Sequence, residues 1–234
     1  MRPQIALGLS LAGVSAFPLA LRQATEPLRI MALGASVTFG TGSTTGDSYR
    51  KDLQDLLASK GITATYVGTR ANGNFPDNAV EATGGFKIDQ IAASADKAVP
   101  VLKPNLVLVD AGTNNCNKGG EVPDAGSNVT AMVNKIYENS PGSTVILASI
   151  LANKVQEQDA CREKINQQYA ALTTQFQESG AKFALVDMRG SDAPTVNDLA
   201  DTRHPNDEGY MKMARVWMKG IEEVISKGFI TAGS

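Results

Sequence analysis

The chain contains a single histidine, His204, and an aspartate, Asp201, three residues before it. A neutral imidazole can accept a proton from a hydroxyl near physiological pH, which few other side chains can do. In a tight turn, the carboxylate of Asp201 can reach the imidazole and fix its tautomer. The pair therefore predicts a general base with an orienting carboxylate. Taken alone, it also fits a surface histidine just before a helix that opens at Pro205.

The best partner for this base is Ser36, in the turn Gly34-Ala35-Ser36. This turn follows a short apolar run, Leu28 to Leu33, which is typical of a buried strand. A turn of small residues can expose a hydroxyl at the edge of a sheet, where the free N–H groups of the next helix point. Ser36 is therefore the candidate nucleophile, although a Gly-x-Ser turn alone is also an ordinary loop.

Two further segments offer hydrogen-bond donors for a developing oxyanion. Asn114, in Gly112-Thr113-Asn114, has a side-chain amide, and Gly85 has a backbone N–H. Each residue alone also fits a plain turn. Their joint occurrence with a serine, a histidine and an aspartate indicates acyl transfer.

The elements that must position these residues alternate between strands and helices. Apolar or β-rich runs predict five strands, at 28–33, 62–67, 106–109, 144–150 and 183–186. Several of these runs are apolar throughout, which is typical of a parallel sheet covered on both faces. The pattern predicts an α/β fold, a flavodoxin-like three-layer α/β/α sandwich with a five-stranded parallel sheet. Ligands of such sheets bind beyond the carboxyl ends of the strands, where the candidate residues lie.

Four short motifs make a family resemblance specific. Gly34-Ala35-Ser36, Gly85, Gly112-Thr113-Asn114 and Asp201-x-x-His204 resemble, in order, the four blocks of the SGNH (GDSL) hydrolases. The segments 86–91 and 204–210 resemble a fungal-type secreted subgroup within carbohydrate esterase family three, the acetyl xylan esterases.

The resemblance implies a serine esterase in which Ser36, His204 and Asp201 form the catalytic triad. It also implies an oxyanion hole built from the Ser36 and Gly85 amides and the Asn114 side chain, with no cofactor. The implied substrate is a small acyl ester, favouring acetyl, on plant cell-wall polysaccharide. The alternatives are a broad short-chain esterase or lysophospholipase and a carbohydrate-binding pseudoenzyme.

The sequence departs from the family pattern at two positions. Ala35 and Asn115 stand where the family usually has aspartate. Neither aspartate belongs to the triad, so the departures put the rate and the pH optimum in question but not the chemistry. A second serine, Ser48, completes a literal Gly-Asp-Ser triplet, but it follows no strand, and Asp47 or Ser48 fits a helix cap better.

Composition and charge exclude several other functions. The 234 residues are 42% hydrophobic and 20% charged, with a net charge of −2 and no basic stripe, which disfavours a nucleic-acid partner. The sequence lacks a Walker loop, a dinucleotide-binding glycine fingerprint and a Gly-x-Ser-x-Gly elbow. One histidine and two cysteines predict no metal site.

The first twenty residues differ in composition from the rest of the chain. Residues 1–20 have the charged start, apolar middle and small-residue end of a secretory signal peptide, with an N-terminal membrane anchor as the alternative. Residues 21–27 then form a short leader, and residues 28–234 a single domain. A secreted, extracellular chain with two cysteines, Cys116 and Cys161, predicts one disulfide, the alternative being two free thiols. After signal cleavage, we expect no stable membrane insertion.

Overall fold

A computed structural model describes residues 27–230 of the chain. The predicted signal peptide and all but the last residue of the predicted leader lie outside this range. Seven strands form one sheet: β1 (Leu28–Gly34), β2 (Ala64–Tyr66), β3 (Arg70–Ala71), β4 (Ala79–Ala82), β5 (Leu106–Asp110), β6 (Thr144–Ala148) and β7 (Phe183–Val186).

The five predicted strands form the core of this sheet. They lie parallel in the order β2-β1-β5-β6-β7, which is the flavodoxin-like order. Every residue of β5 and β6 is buried, as their continuous apolar sequences predict. The predicted fold class is confirmed.

The sheet has two more strands than predicted. The second half of β1 pairs with β4 in parallel, and β3 pairs with β4 antiparallel. Both strands are short and lack an apolar alternation, so the sequence gives no clear signal for them. They matter for the site because β4 runs directly into the segment that contains Gly85.

Helices cover both faces of the sheet. The α-helices are α1 (Ser36–Phe39), α2 (Ser48–Ser59), α3 (Ile88–Leu102), α4 (Ala125–Asn139), α5 (Gln156–Glu178) and α6 (Asp207–Ser226). Short 3₁₀ turns occur at Thr113–Cys116 and Val196–Asp198. Helices α2 and α6 pack on one face and α3, α4 and α5 on the other. Successive residues of β1 contribute to opposite hydrophobic clusters, as the pleat of a strand requires. No helix in residues 27–230 combines the length and the hydropathy needed to cross a membrane.

The last helix begins two residues later than predicted. Helix α6 starts at Asp207, and Asn206 is its N-cap, with a side-chain oxygen that accepts from the amide of Gly209 at 2.9 Å. Pro205 instead forms an isolated antiparallel bridge with Leu199. The cap and the bridge together fix the short loop that carries His204.

The predicted disulfide is present and joins Cys116 to Cys161. Cys116 ends the first 3₁₀ turn and Cys161 lies in α5, 45 residues away in sequence. The bond therefore attaches the loop after β5 to the helix that covers it.

Removal of this disulfide should destabilise the fold without altering its architecture. We expect the Cys116→Ala/Cys161→Ala double variant to lose about 4 kcal/mol of unfolding free energy, because a closed loop of this length restricts the unfolded chain. Urea unfolding of the double variant and of the reduced wild-type protein should give similar losses. A loss below about 1 kcal/mol in both would show that the disulfide does not contribute through the unfolded chain.

Candidate active site

Ser36 lies at the carboxyl end of the central strand β1 and begins α1. The chain turns sharply here because position 34 is glycine. A β-carbon at Gly34 would lie 2.3 Å from Thr38 Oγ1 and 2.7 Å from the carbonyl oxygen of Asp110. The absence of a side chain therefore lets α1 approach the end of the sheet closely.

The turn that carries Ser36 is attached to α6. The Tyr210 hydroxyl contacts the carbonyl oxygens of Val37 at 3.0 Å and Thr41 at 2.7 Å. The Ser36 carbonyl oxygen in turn accepts from the amides of Gly40 and Thr41, each at 3.0 Å. These contacts fix Ser36 relative to the helix that begins just after His204.

His204 lies on a tight loop whose ends are paired. The Ala200 amide donates to the His204 carbonyl oxygen at 2.8 Å. Gly42 packs against this loop with a φ of +95°, and a β-carbon there would lie 3.1 Å from His204 Cβ and 2.5 Å from the Pro205 carbonyl oxygen. Glycine at this position provides both the backbone conformation and the space that the histidine requires. Nothing in the local sequence around Gly42 predicts this contact.

Ser36, His204 and Asp201 form one chain of hydrogen bonds. Ser36 Oγ lies 2.9 Å from His204 Nε2, and His204 Nδ1 lies 2.6 Å from Asp201 Oδ2. The other oxygen of Asp201 accepts from the backbone amides of Arg203 and His204, each at 2.8 Å. An ionised carboxylate is only an acceptor, so the imidazole must carry its proton on Nδ1. Nε2 then accepts from the serine hydroxyl, as a general base requires.

The charge of Asp201 is secured by its hydrogen bonds. Partial burial alone would raise the pKa of its carboxyl group. The hydrogen bonds from the His204 ring and from the two backbone amides outweigh this effect and lower the pKa to about 2. Asp201 is therefore ionised throughout the neutral range.

The two predicted oxyanion donors come from segments that meet beside Ser36. The Thr83 amide donates to the Gly34 carbonyl oxygen at 3.4 Å and extends the β4 pairing towards Gly85. A β-carbon on Gly84 would lie 3.9 Å from Ser36 Cβ. Asn114 is 4% exposed, and its side-chain amide donates to the Phe86 carbonyl oxygen at 2.9 Å. An amide group has two N–H bonds, so this contact leaves one available.

The departure at Asn115 has a structural explanation. Asn115 Oδ1 accepts from the backbone amide of Ile88, the first residue of α3, at 3.1 Å. An aspartate would use a carboxylate oxygen for such a contact, and the amide oxygen performs it without a charge. Ala35, the second departure, is 6% exposed and makes no side-chain hydrogen bond to α1.

Ser48 occupies a different environment. Its hydroxyl donates to the Val37 carbonyl oxygen at 3.2 Å, and the residue is 3% exposed at the start of α2. Asp47 occupies the N-cap position but makes no capping bond, because its carboxylate accepts from the Asn74 amide instead. The literal Gly-Asp-Ser triplet is therefore a packing feature of α2.

A buried carboxyl group below the site was missed by the sequence analysis. Asp110, the last residue of β5, is 6% exposed and accepts from Thr38 Oγ1 at 3.3 Å. Burial raises its pKa to about 6, although the Thr38 hydrogen bond and the charge of Arg162 both favour ionisation. Asp110 thus supports the helical turn that begins with Ser36.

Asp110 should make the stability of the protein depend on pH. Its raised pKa means that the folded protein binds an extra proton between about pH 4 and pH 6, so stability falls as the pH rises through that window. Relative to Asp110→Asn, we expect the wild-type unfolding free energy to decrease by up to about 3 kcal/mol from pH 4 to pH 7. Urea unfolding of both proteins across this range measures the difference, and a constant difference would contradict the assignment.

The site residues do not form a metal-binding cluster. Residues 27–230 contain no group of three or more histidine, cysteine, aspartate or glutamate side chains placed to hold a metal ion. Both ring nitrogens of His204 are already in contact with Asp201 and Ser36.

Comparison with known proteins identifies the family of this chain. The sequence profile of the GDSL-like lipase/acylhydrolase family matches residues 32–212, which is more than half of the chain. The chain belongs to this family. Its membership confirms the SGNH/GDSL resemblance and the predicted class of enzyme, a carboxylic ester hydrolase.

Proteins that are similar to this chain include named esterases. A multidomain esterase of Ruminococcus flavefaciens is 25% identical over 95% of this chain, which spans about a third (32%) of that protein's length. A family 3 carbohydrate esterase of Clostridium thermocellum has a TM-score of 0.74 at 23% identity, covering 86% of this chain and 99% of that one. A family 3 carbohydrate esterase of Talaromyces cellulolyticus has a TM-score of 0.73, with the same identity and coverage. These structures share the fold of this GDSL-like chain.

Proposed function

We propose that the protein is a secreted serine esterase that removes small acyl groups, with acetyl favoured, from plant cell-wall polysaccharide. The observation that carries the proposal is the continuous hydrogen-bond chain from Ser36 through His204 to Asp201. A serine bonded to a histidine whose other nitrogen is oriented by a carboxylate is the arrangement that activates a hydroxyl for attack on an ester.

In the first step, Ser36 Oγ attacks the ester carbonyl carbon while its proton moves to His204 Nε2. The resulting imidazolium lies against the ionised carboxylate of Asp201, 2.6 Å from Nδ1. The tetrahedral intermediate then expels the alcohol, which takes the proton from Nε2, and an acyl group remains on Ser36.

In the second step, water replaces the alcohol. His204 Nε2 takes a proton from the water as its oxygen attacks the acyl-enzyme, and returns that proton to Ser36 Oγ as the acid leaves. The net reaction consumes one water and yields one alcohol and one carboxylic acid. The mechanism uses only residues of this chain.

The oxyanion formed in each step needs hydrogen-bond donors. The Ser36 amide, the Gly85 amide and the free N–H of Asn114 are our candidates, because the 83–86 segment and the Asn114 side chain are in contact beside Ser36. Preorganised donors of this kind commonly lower the barrier by a few kcal/mol each.

The substrate proposal rests on similarity. Two of the similar solved structures are named family 3 carbohydrate esterases. The sequence segments 86–91 and 204–210 resemble the acetyl xylan esterases of that family. The disulfide between Cys116 and Cys161 fits an oxidising compartment and supports secretion. An acetylated polysaccharide outside the cell satisfies both observations.

The proposal is tested by the acyl-length dependence of hydrolysis. The purified protein is assayed on p-nitrophenyl acetate, butyrate and octanoate and on acetylated xylan, with released acetate measured. We expect kcat/KM to be highest for acetate and acetate to be released from xylan. A maximum at longer chains would favour the broad esterase or lysophospholipase. Saturable xylan binding without hydrolysis of any ester would favour the pseudoenzyme.

A further inference from the structure

The side chain of Asn117 connects the two halves of the candidate site. Its Oδ1 accepts from Arg203 Nη1 at 2.6 Å, and its Nδ2 donates to Asn114 Oδ1 at 3.2 Å. Arg203 directly precedes His204, and Asn114 is the proposed side-chain donor of the oxyanion hole. One amide therefore bridges the histidine loop and the loop after β5.

The guanidinium group of Arg203 determines which atoms donate and which accept in this series of hydrogen bonds. A guanidinium group has only donors, so the atom of Asn117 that faces it must be the oxygen. The Asn117 NH₂ group then faces Asn114 and requires an acceptor, which must be Asn114 Oδ1. The Asn114 NH₂ group is consequently directed to the opposite side, where it contacts the Phe86 carbonyl oxygen at 2.9 Å. Without Arg203, the Asn117 amide could rotate by 180° and place its oxygen against Asn114 Oδ1, so that only the Phe86 carbonyl oxygen would still orient the Asn114 amide.

Contacts with α5 hold the backbone around Asn117 in place. The Gln158 side chain donates to the Asn117 carbonyl oxygen at 2.9 Å, and the neighbouring Cys116 is disulfide-bonded to α5. The Arg203 amide in turn donates to Asp201 Oδ1 at 2.8 Å. Hydrogen bonds therefore hold the backbone at both Asn117 and Arg203.

We propose that Asn117 is a positioning residue, polarised by Arg203, which holds the Asn114 amide with its N–H groups towards the oxyanion. The inference rests on the proposed oxyanion role of Asn114. Such a residue stabilises the transition state through Asn114. It does not itself contact the substrate, either in the ground state or in the transition state. Its loss should therefore lower kcat and leave KM nearly unchanged.

The test compares Asn117→Asp, Arg203→Met and Arg203→Lys with the wild type on p-nitrophenyl acetate. Asn117→Asp keeps the acceptor for Arg203 but places a carboxylate oxygen against Asn114 Oδ1, so we expect kcat to fall about 10- to 100-fold. Arg203→Met should lower kcat less, by about 3- to 10-fold, and Arg203→Lys, which keeps a donor-only group, should restore most of it. Melting temperatures identify variants that fail to fold. If Asn117→Asp is one of them, the comparison of Arg203→Met with Arg203→Lys still tests the proposal.

A double variant separates positioning from a structural role. If Asn117 acts through Asn114, adding Asn117→Asp to Asn114→Ala should lower kcat by less than about 3-fold beyond Asn114→Ala alone. Multiplicative losses, or an Asn117→Asp enzyme with wild-type kcat, would overturn the inference. Wild-type activity of Asn114→Ala would instead remove the oxyanion assignment, which is a distinct failure of the proposed function.

Discussion

Replacing Ser36 with alanine should abolish hydrolysis of p-nitrophenyl acetate, with kcat reduced at least about 10⁴-fold. The reason is that the substitution removes the atom that forms the acyl-enzyme, so only the slower attack of water in the pocket remains. The fold should be retained, because the substitution removes one oxygen atom, and that atom contacts the His204 ring. Equal melting temperatures of the variant and the wild type would confirm that chemistry, and not folding, is lost.

Ser48→Ala is the matched control for this experiment. Ser48 belongs to the literal Gly-Asp-Ser triplet, but its hydroxyl donates to the Val37 carbonyl oxygen, whereas His204 Nε2 contacts Ser36 Oγ. We expect this variant to keep kcat within a few-fold of the wild type. The reverse pattern, with Ser48→Ala inactive and folded and Ser36→Ala active, would transfer the nucleophile to α2.

Substitution of Asp201 by asparagine should produce the second large effect. The asparagine NH₂ can donate to His204 Nδ1 and so favour the tautomer with the proton on Nε2, which cannot accept a proton from Ser36. We expect kcat to fall about 10²- to 10⁴-fold, with the smaller values reflecting the 51% exposure of the Asp201 side chain. Activity is compared with that of Asp192→Asn, which alters only an exposed ion pair with Lys219.

The low pKa of Asp201 adds a condition to this prediction. Because that pKa is about 2, Asp201 stays ionised above about pH 4. The ratio of wild-type to Asp201→Asn activity should therefore not decline through titration of this carboxyl group anywhere between pH 5 and pH 8. Near-wild-type activity of Asp201→Asn at pH 7 would contradict the role of Asp201 in orienting His204.

The sequence predicted the central sheet well because its signals are local. Strands β5 and β6 are short continuous apolar runs between turn residues, which is typical of strands buried in a parallel sheet. Strand β4 was missed because four residues, Ala79–Ala82, form a strand only by pairing with the end of β1 and with β3. Its position depends on the tertiary fold and not on its own composition.

The candidate site divides in the same way. Ser36, Gly85, Asn114, Asp201 and His204 could be selected because each lies in a short motif with a recognisable spacing. The contact between Asn117 and Arg203 joins residues that are 86 positions apart, so no local sequence pattern predicts it. Asp110 directly follows the predicted strand at 106–109, and its raised pKa results from the burial that the folded chain creates.

Covalent labelling can show whether Ser36 is the nucleophile that His204 activates. The full chain is treated with diisopropyl fluorophosphate, digested and analysed by mass spectrometry, while residual esterase activity is followed. We expect one diisopropylphosphoryl group per chain, located on Ser36, appearing in step with the loss of activity and strongly slowed in His204→Ala. A label located on Ser48, or full inactivation with Ser36 unmodified, would show that Ser36 is not the nucleophile.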